Sequence, residues 1–545
     1  MTETQKRVAK IWASVIPNRT ARMFVPESNF FEEGGHSILA QQMLFNVRKE
    51  WKEIDIPMSV IFQSQTLGEF ATEIDRAQDP TGLRLDVPPL INFGSNAEDE
   101  AYAADARDLV KQLPNSIRSA DVRVPGPKTV FLTGATGFLG SYILRQLLSD
   151  PETRVIAHVR GKDAASGVSR IETISKAYSI WSDDWRPRLE AVTGDISKPN
   201  LGLSQADWDR VANEADAIIH NGAQVNWMLP YSSMRAANVL STVECVNLAA
   251  TGKPKSLAFV SSTSTLDSDH YVELSQKSIA EGGTGVQEDD DLEGSRKGLG
   301  TGYGQSKWAS EYIVREAGKR GLVGAVIRPG YVTGDPVSGT SITDDFLVRL
   351  WKGCLQVQAR PDIANTVNQV PVTQVSRIVV ASVLHPPVSP LGVVQVTSHP
   401  RLTMNEWIGA LEKYGYDVPK VPYADWCAKL LAYVSDEKKE EHALLPLFHF
   451  VTGDLPANTV APELDDRNAA TALRSAGGLS AEEEKDPLVA GAVTLDVAGR
   501  YLAYLVATGF MPAPEGKGER EVPKLELGEE KLTALAALGG RAAAR

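Results

Sequence analysis

Long apolar runs are missing from this chain. No stretch of about 18 apolar residues occurs among its 545, so no membrane-spanning helix is predicted. Cysteine is scarce: Cys245, Cys354 and Cys427 are scattered and odd in number. That fits a reducing cytosol and matches neither a disulfide framework nor a zinc site, so no metal is predicted. The segment MTETQKRVAKIWASVI carries charges and has no apolar h-region, which excludes a secretory signal and points to the cytoplasm. Positive charge is in deficit, with 56 Lys and Arg against 69 Asp and Glu and a net charge of −13. Neither nucleic acid nor an anionic membrane is therefore expected as the main partner. No internal repeat is visible.

What is present is ordinary globular material, 43% apolar and 23% charged, in a length that suits three or four domains. Residues 1–78 read as a small four-helix module. Val8, Ile11, Trp12, Val15 and Ile16 form an amphipathic stripe behind a Thr2–Gln5 capping box. Leu39, Met43 and Val47 mark a second helix, and Val60–Phe62 and Leu67–Ile74 two short ones. Residues 79–122 carry turn signals and acidic residues and read as a linker, interrupted by one helix near Ala101–Leu113. From 123 to 400 strands alternate with helices, predicting a doubly wound α/β sheet with strands at 130–132, 154–159, 189–193, 217–220, 256–261 and 323–327. Residues 401–545 read as a mostly helical subdomain with a frayed tail.

Three strings carry chemistry. In Asn29-Phe30-Phe31-Glu32-Glu33-Gly34-Gly35-His36-Ser37-Ile38 two glycines permit a tight turn and Ser37 opens a helix. By position alone Ser37 is an ordinary helix cap. Thr133-Gly134-Ala135-Thr136-Gly137-Phe138-Leu139-Gly140 lies between a strand and a helix, the setting of a dinucleotide phosphate loop. Arg160 ends the next strand 20 residues on, where an arginine suits the 2′-phosphate of NADP. Arg170 reads as a second clamp or a surface arginine. Gly194-Asp195-Ile196 and His220-Asn221-Gly222 end the third and fourth strands and are expected along the cofactor. In the third string, the hydroxyl-rich strand end Ser261-Ser262-Thr263-Ser264 precedes Tyr303-Gly304-Gln305-Ser306-Lys307. Tyr and Lys four apart share a helix face, so the ammonium is expected to lower the phenol's pKa and ready it for proton transfer.

The Gly-Gly-His-Ser string resembles the thiolation (peptidyl-carrier) domains of nonribosomal peptide synthetases. The resemblance implies that Ser37 bears 4′-phosphopantetheine, installed by a phosphopantetheinyl transferase. The glycine loop, the hydroxyl turn and Tyr303–Lys307 resemble the extended short-chain dehydrogenase/reductase family. That implies a Rossmann-type fold, a catalytic triad of Thr263, Tyr303 and Lys307, and Arg328-Pro329-Gly330 beside the nicotinamide. The implied NADPH contacts are Gly134, Thr136, Gly137, Phe138, Leu139, Gly140, Arg160, Arg170, Asp195, Ile196, Asn221, Tyr303, Lys307, Pro329 and Gly330. Together, Phe30–Ala40, Phe131–Leu144, Phe259–Asp267, Gly302–Trp308, Arg328–Gly334 and Ala461–Asn468 resemble the fungal L-2-aminoadipate reductases of lysine biosynthesis, without the adenylation domain those enzymes place upstream. This implies reduction of a carrier-bound 2-aminoadipoyl thioester to the 6-semialdehyde. A terminal reductase for another acyl or peptidyl chain is the nearest alternative, and a sugar-nucleotide epimerase or dehydratase a second. Glu288–Asp291 reads as a solvated loop. Trp227, Tyr331, Asp344, Asp345 and Arg349 are candidates for the acyl pocket.

Overall fold

The structure, a computed structural model, describes all residues except 17–18, 31–32, 34–36, 52–53, 55–59, 62–63, 79–100, 123–125, 127, 227–228, 435–438, 454, 529–530, 532 and 536–545. It divides into two units, Met1–Gly94 with Cys427–Asn458, and Ser95–Trp426 with Thr459–Arg545. Among the described residues no helix is long and apolar enough to cross a membrane.

The first unit is helical. Helix α1 (Glu3–Val15) starts where the sequence places its capping box, with Thr2 and Gln5 satisfying each other's backbone N–H groups. It packs against α2 (Ser37–Glu50) and α3 (Leu67–Gln78). Their apolar stripes, Val8, Met43, Val47, Phe70 and Ile74, are buried around Trp12. The Trp12 ring meets Phe24 and Phe30 edge-on at 5.5 and 5.1 Å, a geometry that adds to plain area burial. Of the two short helices expected after α2, the second is α3. Val60 and Ile61 are helical, and Phe62 lies outside the described residues.

The second unit is built on a seven-stranded sheet. In chain order its strands are β1 (Thr129–Thr133), β2 (Arg154–Val159), β3 (Leu189–Thr193), β4 (Ala217–His220), β5 (Ser256–Val260), β6 (Val323–Pro329) and β7 (Leu391–Val396). They lie in the spatial order 7-6-5-4-1-2-3. Every pairing is parallel, so both faces are covered by crossover helices and the strands are apolar runs. The order reverses between β1 and β4, and the crevice beyond the carboxyl ends of those strands is where such sheets bind ligands. Strand β7 was not anticipated from the sequence.

Helix α4 (Ala101–Val110) lies inside the segment expected to be a linker, yet it belongs to the second unit's core. Tyr102, Ala103, Ala106 and Leu109 are buried against Trp308, and the Tyr102 hydroxyl donates to the Ser295 carbonyl at 2.5 Å. Alanines at helical spacing permit this close approach, and the acidic turn-rich sequence before them masks it. The subdomain after residue 400 is mostly helical, as expected, but Cys427–Asn458 groups with the first unit.

Candidate active site

The phosphate loop joins β1 to α5 (Phe138–Leu148), whose N-cap is Gly137. Gly134 has φ of +74°, a left-handed conformation that glycine adopts without cost. A Cβ on Gly140 would strike the Gly134 carbonyl oxygen, so the first turn of α5 closes on the loop only with glycine there. The helix start then offers free N–H groups and the positive end of its dipole to an anion. Thr136 and Gly137 lie at this mouth. Phe138 instead turns its ring into the core, edge-on to Tyr142 and Tyr178 at 5.3 and 5.2 Å, and Leu139 packs against the same core. These two have only backbone to offer a cofactor.

At the end of β2 the side chain of Arg170 donates to the Arg160 carbonyl at 3.1 Å. Both arginines are exposed at this strand end, where a ribose would lie. Across β3, the Asp195 carboxylate accepts from the backbone N–H and hydroxyl of Ser197, which hold its pKa below the ordinary range. Ile196 is half-buried next to it. Just after β4, the Asn221 amide donates to the Gly134 carbonyl at 3.4 Å, tying the two lips of the crevice together. His220, just before it, is buried between the Thr133 and Ser241 hydroxyls. Burial above all, with the Lys307 charge second, pushes its pKa down to about 3, so it is a neutral structural imidazole.

The hydroxyl turn, Thr263–Leu266, leaves β5, and α6 (Gly302–Lys319) lies over it. The approach is close: a Cβ on Gly304 would lie 2.9 Å from the Ser264 carbonyl oxygen. Tyr303 and Lys307 sit together on this helix, with the Lys307 Nζ 5.8 Å from the Tyr303 ring centroid and donating to the Val260 carbonyl at 2.7 Å. Their protonation differs from the sequence expectation. Desolvation dominates, raising the Tyr303 phenol to about 12, with only a hydrogen bond from Ser262 pulling it back. Desolvation likewise brings Lys307 down to about 7. Without a carboxylate partner the ammonium is itself destabilised, so in the free protein it does not acidify the phenol. The phenol is therefore a proton donor across the neutral range. Thr263 is half-buried at the head of the turn. Ser262, just before it in the same turn, is the hydroxyl whose hydrogen bond lowers the Tyr303 pKa.

A family model described as Male sterility protein, of the NAD-binding kind, matches residues 132–379. A second, described as Phosphopantetheine attachment site, matches residues 6–74. The chain is 51% identical to the L-2-aminoadipate reductase large subunit of Penicillium chrysogenum and 43% identical to the L-2-aminoadipate reductase of Saccharomyces cerevisiae, over 99% of its own length in both comparisons. It spans 39% of each relative. A thiolation-reductase di-domain from an archaeal nonribosomal peptide synthetase matches 94% of this chain and 98% of its own with a TM-score of 0.66, at 18% identity, which speaks to fold alone. The terminal R domain of the myxalamid biosynthetic pathway is 31% identical with a TM-score of 0.62, and its whole length is covered by 77% of this chain. The chain belongs to the terminal reductase (R) domain family.

In this R domain the region under the hydroxyl turn is a buried polar network that sequence reasoning missed. Arg328, on β6, and Glu311, on α6, are fully buried. The Arg328 Nε lies 3.1 Å from both Glu311 oxygens, and its Nη2 is 2.5 Å from Oε1. Burial raises the Glu311 pKa, but the Arg328 charge and hydrogen bonds outweigh it and hold the carboxyl below its ordinary range. Ser261 donates to Glu311 at 2.8 Å, so the pair fixes the strand end from which the hydroxyl turn departs. Gln395 links Arg328 to the backbone of Val286 and Asp465. Glu288, expected in a solvated loop, is buried in this network and accepts from the backbone N–H groups of Gln395 and Asn468 at 2.8 Å each. Asp290 of the same run accepts from the Tyr271 hydroxyl. The spacing of acidic residues along the chain gives no sign of this, because the partners of Glu288 lie more than 100 residues away.

Among the acyl-pocket candidates, Trp227 lies outside the described residues. Arg349 is ion-paired with Asp344 at 2.8 Å. Asp345 caps the helix Phe346–Val357 through the N–H groups of Leu347 and Val348. Pro329 and Gly330 turn β6 into the short strand Tyr331–Thr333, which pairs with Gln369–Pro371.

Proposed function

We propose that this chain uses NADPH to reduce a 2-aminoadipoyl thioester carried on Ser37, releasing 2-aminoadipate 6-semialdehyde in the cytoplasm. The observation that carries the reading is the union, in one chain, of a carrier module with a switch-point crevice lined by Tyr303 and Lys307. Its substrate is taken from the similarity to L-2-aminoadipate reductases over nearly the whole chain. The chain's residues fit both prosthetic groups. Gly134 and Gly140 let the loop close on Gly222 and on itself, the exposed Gly137 at the helix start leaves its backbone open to a pyrophosphate, and Arg160 and Arg170 bring positive charge to the site of a 2′-phosphate. Ser37 is the first residue of α2, where a phosphodiester is favoured by the helix dipole.

Bound NADPH supplies a hydride to the acyl carbon. The residues do the rest. Tyr303 donates a hydrogen bond and then its proton to the carbonyl oxygen as charge develops there. Thr263 donates a second hydrogen bond to the same oxygen, and Ser262 orders the phenol. Lys307 holds the ribose. The acyl group reaches the site as a thioester because a thiolate leaves far more readily than the hydroxide a free acid would expel. The arm also raises the local acyl concentration to about millimolar or more. Loading Ser37 depends on a phosphopantetheinyl transferase and on an adenylating activity upstream. The test is product identity. Protein loaded with 2-aminoadipate, and in parallel with unrelated aminoacyl and fatty acyl groups, is given NADPH and an aldehyde trap. Rapid release of trapped 2-aminoadipate semialdehyde is expected. Preferential release of another aldehyde would replace the substrate, and release of none would remove the reading.

A further inference from the structure

Beyond the carboxyl ends of β5 and β6 the structure gathers polar groups that neither the hydride transfer nor the fold uses. These strands are neighbours, with Val260 paired to Ile327. Asp267 leaves β5 at the end of the turn that begins with Thr263, its backbone N–H donating to the Ser264 carbonyl. Tyr331 leaves β6 through Pro329 and Gly330. Both therefore stand on the same edge of the sheet as Tyr303. Burial above all, with the charges of Asp267 and Asp345 next, holds the Tyr331 phenol above its ordinary range, which puts both carboxylates in the surroundings of that ring. Gln369 is paired in register with Tyr331, and register partners in a parallel ladder project to the same face.

Gln369 is fully buried, yet neither its amide oxygen nor its amide nitrogen has a hydrogen-bond partner. Buried side-chain amides are almost always satisfied, and one orphaned at both atoms calls for an explanation. Asp267 keeps surface exposure, although the desolvation of its carboxyl raises its pKa to about 7, and among the described residues it makes no hydrogen bond or ion pair. Asp345 differs, because its Oδ1 is committed to a helix cap, and the cation Arg349 is committed to Asp344. Asp267 thus offers a carboxylate, which takes an ammonium, and Gln369 a neutral amide whose N–H groups take a carboxylate.

We infer that Asp267 and Gln369, grouped around Tyr331, form the subsite for the amino-acid head of the tethered acyl chain, the Asp267 carboxylate receiving its ammonium and the Gln369 amide its carboxylate. This rests on the aminoadipoyl reading above. It makes the two residues determinants of specificity and gives them no part in proton or hydride transfer.

The experiment uses the full chain, phosphopantetheinylated on Ser37 and loaded with 2-aminoadipoyl, adipoyl (no ammonium) or 5-aminopentanoyl (no carboxylate) groups, and follows single-turnover NADPH oxidation. Unsubstituted protein is expected to reduce the first about ten- to a hundredfold faster than either of the others, the worth of one charge-assisted hydrogen bond. Asp267→Asn is expected to erase the discrimination against adipoyl, and Gln369→Leu the discrimination against 5-aminopentanoyl. Variants that keep the full discrimination, or that slow all three substrates by one factor, would overturn the assignment and leave the function intact. Unsubstituted protein that treats the three alike, or reduces none, would overturn the assignment together with the aminoadipoyl reading. Asp267 is exposed, so its isosteric variant decides the matter even where Gln369→Leu does not fold.

Discussion

Substituting Glu311 with glutamine keeps the shape of the side chain and removes its charge, which leaves the Arg328 guanidinium buried without a counter-ion. Both side chains are 0% exposed, and three Arg328-to-Glu311 contacts of 3.1 Å or less join them. A second cation, Arg315, lies 3.6 Å from the same carboxylate, so the variant also sets two arginines against each other. Breaking a buried pair from one side costs about 3–5 kcal/mol. In a unit of this size that corresponds to a fall in melting temperature of about 3–6 °C. The exposed pair Lys111–Asp108, with side chains 75% and 70% accessible, is the control, and Asp108→Asn is expected to cost no more than about 0.5 kcal/mol. The assay is thermal unfolding of the intact chain by circular dichroism at several salt concentrations, since screening weakens the surface pair and leaves the buried one. Because Ser261 donates to Glu311, the variant is also expected to lower the single-turnover rate without weakening NADPH binding. If Glu311→Gln melts with Asp108→Asn, the buried network does not support this strand end and the reasoning fails.

Three further outcomes follow from the same geometry. Tyr303→Phe is expected to reduce the rate by about a hundredfold or more while leaving Ser37 loading unchanged by intact-protein mass, and undiminished reduction would remove Tyr303 from proton transfer. Lys307 has its folded pKa lowered from 10.5 to about 7. The unfolded chain therefore binds more protons between those values, and cofactor-free protein is expected to gain stability as pH rises from about 7 toward 10.5. Lys307→Met is expected to remove that contribution, which denaturation at pH 7 and pH 9.5 reads directly. Arg160→Ala is expected to weaken NADPH binding about tenfold or more and to leave NADH binding little changed; equal losses for both would move the 2′-phosphate elsewhere.

Much of the second unit was legible because its signals are local. Six of the sheet's seven strands are short apolar runs bounded by turn residues, and the phosphate loop announces itself by glycine spacing between a strand and a helix. The Tyr303–Lys307 pair is a single helical turn, and its proximity needs no tertiary information. What the sequence hid is whatever depends on distant partners. β7 is an edge strand whose run, Leu391–Val396, is read only by its pairing with β6. Helix α4 looks like part of a linker until Trp308 and Tyr312 are packed around Tyr102. Glu288 was read as solvated because its acidic neighbours suggest a surface, whereas its hydrogen bonds come from residues 395 and 468. The direction of the Tyr303 shift differs from the sequence expectation for a related reason. Spacing gives proximity, but burial, which outweighs proximity here, is a property of the whole fold.

The most direct measurement is the intact mass of phosphopantetheinylated protein loaded with 2-aminoadipate, taken before and after addition of NADPH. The account predicts that the acyl mass is lost while the arm on Ser37 remains, with stoichiometric NADPH oxidation and one semialdehyde released per chain. An acyl group that persists on the arm beside bound NADPH, or an arm that a Ser37→Ala chain still accepts, would contradict it.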